Sequence, residues 1–213
     1  MAVSLPGLRP RDETGPAGAA PETPRPPGPL VWFHTGSGGA VPSVLELAAR
    51  LRAQDPDLGF LLTTTATEPG DAADAPVPVA IRAAPPDRAG PVRGFLRHWR
   101  PDVAVWTECD LWPVLIGEAR GAGVPLYMVD ARTARPDPRV WRWRPRTARR
   151  MLLSFDQILA GDRSSAFDLR KMGAEPGCVR VTGYLEEGTP ALGCDQKELD
   201  DLSEKLAARP VWL

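Results

Sequence analysis

Leu30-Val31-Trp32-Phe33-His34-Thr35-Gly36-Ser37-Gly38-Gly39-Ala40-Val41-Pro42-Ser43-Val44 is the stretch whose reading decides the fold. It opens with a short apolar run, Leu30 to His34, that suits a buried strand. The glycines that follow make a tight turn possible. From Pro42 to Gln54 the apolar residues Val44, Leu45, Leu47, Ala48 and Leu51 recur at helical spacing, and Pro42 is tolerated in a first helical turn, where its missing N–H is not needed. The stretch therefore reads as strand, glycine turn, helix.

The same pattern repeats downstream. Strands are expected at residues 59–64, 77–81, 103–107, 126–129, 157–160 and 178–182, and helices at 92–99, 111–121, within 138–153, and at 164–172. Gly121 or Gly123 supplies a stop signal for the second of these helices. Short apolar strands alternating with amphipathic helices predict an α/β protein. The sheet is a Rossmann-like parallel one with helices on both faces, because right-handed crossover helices pack against each side. Ligands of such sheets sit beyond the carboxyl ends of the strands. The turns at 36–40, 108–112 and 130–132 all fall there, so three separate segments are expected to meet in one cleft.

Composition narrows the function classes. The 213 residues carry a formal net charge of −1, so any anionic partner must be met by a local patch, and nucleic acid is not expected. Cys109, Cys178 and Cys194 lie far apart with no paired spacing, which argues against a zinc site and a disulfide framework and fits a reducing cytosol. No metal or cofactor is expected. No run approaches the length of a membrane span, and the N-terminus lacks a signal-peptide pattern. Residues 1–29, crowded with Pro, Gly and Ala, read as a disordered leader.

Several residues stand where chemistry happens. The turn Gly36-Ser37-Gly38-Gly39 enters a helix N-terminus, which favours a negative ligand. As a dinucleotide fingerprint it is incomplete, since Val41 occupies the third small position, and a purely structural turn is the alternative. Glu108 and Asp110 emerge together from the strand at 103–107. Paired carboxylates can divide acid and base roles, although Asp110 also reads as the N-cap of the helix that follows. His34, at a strand end, is either a hydrogen-bonded structural residue or a direct participant. Further on, Arg139, Arg142, Arg146 and Arg149 fall on one helical face beside Trp141 and Trp143. Such a stripe suits phosphates on a lipid or an anionic bilayer, or is simply a solvated face.

His34-x-x-Ser37-x-Gly39 and Glu108-x-Asp110-Leu111-Trp112-Pro113 resemble the signature loops of the 3-deoxy-D-manno-octulosonic acid (Kdo) transferases. Asp130-Ala131-Arg132 is similar to that family's Asn-Ala-Arg, and Val181-Thr182-Gly183-Tyr184-Leu185-Glu186 to its Val-Thr-Gly-Asn-Leu-Lys. The resemblance implies the N-terminal half of a two-domain GT-B-type glycosyltransferase, one that moves Kdo from CMP-Kdo onto lipid A in lipopolysaccharide assembly. Residues 30–193 would form the acceptor-side domain and 194–213 a linker helix and the start of a donor domain. By the same resemblance Glu108 supports the transition state, and Ser37, Gly38, Gly39, Asp110 and Arg132 face the acceptor. Arg139, Arg142, Arg146 and Arg149 would meet its phosphates. Two of the family's three catalytic positions differ: Ala40 replaces the general-base Glu, and Glu186 replaces a stabilising Lys. A general base typically contributes about 10²–10⁴-fold, so the chain alone is expected to be inactive. The implied partners are a lipid A precursor, an anionic membrane surface, and CMP-Kdo if another chain supplies the donor half. The implied location is the cytoplasmic, inner face of the inner membrane. The alternative is a noncatalytic module that binds lipid A or an anionic membrane.

Overall fold

A computed structural model describes residues 24–65, 75–132, 145–185 and 205. Seven strands form one sheet: β1 (Leu30–Thr35), β2 (Gly59–Thr64), β3 (Ala80–Ala83), β4 (Val103–Thr107), β5 (Leu126–Ala131), β6 (Gln157–Ala160) and β7 (Val179–Val181). All are parallel, in the order β3-β2-β1-β4-β5-β6-β7. The helices between them are α1 (Val41–Gln54), α2 (Ala89–Trp99), α3 (Pro113–Gly121), α4 (Pro145–Leu152) and α5 (Arg163–Lys171). The Rossmann-like sheet expected from the alternating pattern is the one observed.

β1 is buried along its whole length, as a central parallel strand must be. Trp32 and Leu30 join the core beneath α2 to α5, with Trp106, Leu115 and Met128. Val31 and Phe33 point the other way, onto Val44 and Ala48 of α1. A period-two strand thus feeds two cores, one on each side of the sheet.

Several element boundaries differ from expectation by one to three residues, α2 for instance starting at Ala89 rather than 92, and three of them have a local explanation. β3 starts at Ala80 rather than 77, because Pro78 has no N–H to give a ladder. α3 starts at Pro113 rather than 111, since the residue before a proline is pushed out of the helical region; Trp112 sits at φ −104, ψ 103. β5 runs on to Ala131 through a register shift. Only Pro145–Leu152 of the Arg-rich helix is described, and the linker helix expected near the C-terminus lies outside the described residues apart from Lys205. Within the stretch assigned to the leader, residues 24–29 have a definite place. Arg25 donates to the Trp99 carbonyl at 2.7 Å, and the Leu30 N–H donates to Asp102 at 2.7 Å, anchoring the entry to β1.

Candidate functional site

The strand order reverses between β1 and β4. In an open parallel sheet this switch point leaves a crevice at the carboxyl ends, because the adjoining connections run to opposite faces. The turn after β1 and the turn after β4 therefore face each other. They touch at Gly36: a Cβ on that residue would lie 2.6 Å from Asp110 Oδ2 and 2.9 Å from Asp110 Cβ. Glycine is needed there for closeness, not for an unusual φ.

On the β1 side, Thr35 Oγ1 donates to the Ser37 carbonyl at 3.0 Å and accepts the Ser37 N–H at 3.3 Å, closing the turn. Gly38 and Gly39 are exposed in a single 3₁₀ turn that leads into α1. Ala40, the next residue, is buried.

On the β4 side, Glu108 and Cys109 adopt φ of 62° and 58°. Two successive left-handed residues without glycine cost about 1–3 kcal/mol each, and such strain gathers at functional sites. The reversal leaves Glu108 Oε2 3.5 Å from Thr35 Oγ1 and sends the Cys109 thiol into the core, where burial first and the Asp110 charge second push it up to about 12. Asp110 Oδ2 accepts the Trp112 indole N–H at 2.7 Å.

Asp110 is not the cap of α3, contrary to that reading of the sequence. Trp112 occupies the N-cap position, and the first-turn amides of Leu115 and Val114 donate to Asp87, at 2.8 and 3.4 Å. Asp87 lies 26 residues upstream of Pro113, so no local motif marks it. Asp110 instead lies against the Gly36 turn.

His34 is fully buried between the rings of Trp106 and Trp112, at 5.1 and 5.5 Å. Nδ1 is 2.9 Å from Thr63 Oγ1. Among the described residues Nε2 has no hydrogen-bond partner, and it stands 3.9 Å from Asp110 Oδ2. Burial lowers its pKa to about 3, keeping the ring neutral.

A second group occupies the same rim beyond β5 to β7. Asp130, at φ 52°, grips Arg132 through two bonds of 3.0 and 2.9 Å. The guanidinium lies over the Tyr184 ring, 4.5 Å from its centre. Tyr184 in turn donates to Asp162, which caps α5 by accepting the Ser165 N–H at 2.6 Å. The Tyr184 hydroxyl and then the Ser165 amide hold the Asp162 carboxyl below its usual range, and the same bond raises the Tyr184 phenol. Of these partners, Asp162 had a sequence signal, a capping Asp at a helix start. Tyr184 had only its departure from a motif.

Of the Arg stripe, Arg146 and Arg149 are exposed on α4; Arg139 and Arg142 lie outside the described residues, as does Glu186. Among the described residues no cluster of His, Cys, Asp and Glu could hold a metal ion, and no helix is long and apolar enough to cross a membrane. A groove of about 850 Å³ between α2 and α3, lined by Arg93, Arg97, Arg100 and Glu118, opens at the opposite end of the sheet.

A family model described as 3-deoxy-D-manno-octulosonic-acid transferase (kdotransferase) matches residues 11–186. The chain belongs to the Kdo transferase family. It is 32% identical over 202 residues to a probable mitochondrial Kdo transferase of Arabidopsis thaliana, covering 91% of this chain and 45% of the relative. To the Kdo transferase of Rickettsia felis it is 26% identical, covering 85% and 39%. The chain thus spans less than half the length of these relatives. Among solved structures, UDP-GlcNAc 2-epimerase of Neisseria meningitidis superposes with a TM-score of 0.53 at 16% identity, over 84% of this chain and 51% of the other. A putative UDP-N-acetylglucosamine 2-epimerase of Listeria monocytogenes gives 0.55 at 12%, over 82% and 51%. At such identities these likenesses concern the fold, a Rossmann-like sheet matching about half of these GT-B-type chains.

Proposed function

We propose that this chain is the acceptor-side half of a Kdo transferase. It binds a lipid A precursor at the carboxyl rim of the sheet, and Kdo reaches that acceptor from CMP-Kdo held by a donor half. The observation that carries this reading is the contact of the Gly36 turn with Asp110, which joins two family motifs in one crevice at the switch point. Ser37, Gly38, Gly39, Asp110 and Arg132 line the acceptor side, and Glu108 supports the transition state. By themselves the 213 residues bind without transferring, because CMP-Kdo is held elsewhere. The site works on the cytoplasmic face of the inner membrane, where the Arg stripe meets acceptor or bilayer phosphates.

The test measures lipid A precursor binding and transfer from CMP-Kdo, with and without a separate donor-half polypeptide, for the unaltered chain and for an Ala40→Glu, Glu186→Lys double variant. Binding by the chain, with transfer only when the donor half is added, supports the reading. Robust transfer by the chain alone, or no binding, refutes it. Transfer only by the double variant assigns the chain a degenerate site. The exposure of Arg146 and Arg149 favours a second reading, a noncatalytic module on anionic membranes. Vesicle binding that lipid A does not displace, and that Arg142 and Arg146 substitutions abolish, would select it.

A further inference from the structure

The hydrogen bonds around His34 bear on its tautomer. Thr63 Oγ1 accepts the Trp32 indole N–H at 2.8 Å and lies 3.3 Å from the Phe33 carbonyl, to which it donates. A hydroxyl has one proton to give. With that proton given to the Phe33 carbonyl it accepts from His34, and the imidazole proton sits on Nδ1. Nε2 then presents a lone pair, fully buried, that no donor among the described residues reaches. Across from it, at 3.9 Å, stands Asp110 Oδ2, and a carboxylate is an acceptor too. Two acceptors face each other over a gap that one proton would bridge.

We propose that Asp110 takes the place of the carboxylate absent at position 40, as proton acceptor for the attacking hydroxyl, with His34 as its positioning residue. This rests on the acceptor-side reading above. The Asp110 side chain is 20% exposed, so a ligand can reach it, and it lies against the turn that carries Ala40. A carboxyl that gains a proton inside a protein needs an acceptor for it, and Nε2 is in place. Glu108 instead faces Thr35, whose hydroxyl is already committed to Ser37.

In the step, the acceptor hydroxyl oxygen bonds to the anomeric carbon of a CMP-activated sugar. The bond from that carbon to the phosphate oxygen breaks, and its electron pair leaves on CMP. The hydroxyl proton passes to Asp110. A closing movement of about 1 Å then brings the protonated oxygen within hydrogen-bond distance of Nε2. Nothing is oxidised or reduced, and the proton returns to water when product leaves.

The experiment uses the full-length chain throughout. Nitrogen-15 NMR of the histidine side chains should show the Nδ1–H tautomer for His34; an Nε2–H or doubly protonated ring overturns the proposal. With CMP-Kdo, a lipid A precursor and a donor-half polypeptide, Asp110→Asn should lower kcat about 10²–10⁴-fold. Its amide oxygen still accepts the Trp112 indole, so the variant folds. His34→Asn, which keeps a donor toward Thr63 and removes the lone pair, should lower kcat and spare KM. Equal transfer by Asp110→Asn overturns the proposal. So does a wild-type chain that fails to transfer beside a competent donor half. Precursor binding, measured separately, then decides whether the acceptor-side reading stands without it.

Discussion

Mild acid should weaken this fold through one imidazole. His34 is buried and neutral, with its pKa lowered to about 3, whereas an unfolded histidine titrates near 6.5. Below that value the unfolded chain takes up a proton that the folded chain refuses. Stability therefore falls as the pH drops through about 6.5 and stops falling, for this group, below about 3. Each unit is worth about 1.4 kcal/mol, so His34 costs about 2 kcal/mol by pH ~5 and about 5 kcal/mol at the limit. The window between about pH 7.5 and 5 isolates the effect, because the lowered Asp162 carboxyl acts only in the acid range below it. Urea unfolding of the wild type and of His34→Asn across that window gives the measurement. The variant starts less stable, having lost ring packing against Trp106 and Trp112, so the comparison is of slopes. The wild type should lose about 2 kcal/mol more than the variant. Parallel curves, or a His34 ring seen by NMR to titrate near its unfolded value, would refute the reasoning.

Three further outcomes are expected. Asp87→Ala strips two first-turn amides of α3 of their acceptor in a buried place and should cost about 2–3 kcal/mol. Asp110→Asn, which keeps an acceptor for the indole, should cost less than about 1 kcal/mol; equal losses in urea unfolding would return the capping role to Asp110. Gly161→Ala places a methyl inside the Tyr184 ring, so the ring must leave Asp162. The Asp162 carboxyl, followed by carbon-13 NMR, should then titrate closer to the ordinary range, removing stability that is present above that range and lost as the pH falls through the lowered folded value. An unchanged titration contradicts the contact. Finally, the Cys109 thiol, buried and pushed up to about 12, should resist a disulfide reagent at about pH 8 until the chain is unfolded, while half-buried Cys178 reacts first; early modification of Cys109 would count against its place in the core.

Local periodicity determined much of this protein. The apolar run at Leu30, the helical spacing after Pro42, and the strands at Gly59–Thr64, Val103–Thr107 and Gln157–Ala160 are properties of neighbouring residues, and the structure has them where the sequence places them. The motif turns were legible for the same reason, and so was their position on the carboxyl rim, since a right-handed parallel sheet leaves them nowhere else. What the sequence could not determine is which side chain serves which task. Asp110 and Asp87 are both acidic residues near a helix start, yet one faces the Gly36 turn and the other caps α3 from across a loop. The neutral His34 and its unfilled nitrogen likewise arise only when β1, β2 and the turn after β4 enclose the ring. Tyr184 meets Arg132 and Asp162 at the ends of adjacent strands, across 52 and 22 residues of chain that the sheet folds back on itself. Backbone pattern is set by residues a few positions apart; proton positions and charge pairings depend on atoms brought together from dozens of residues away, and only the folded chain assembles them.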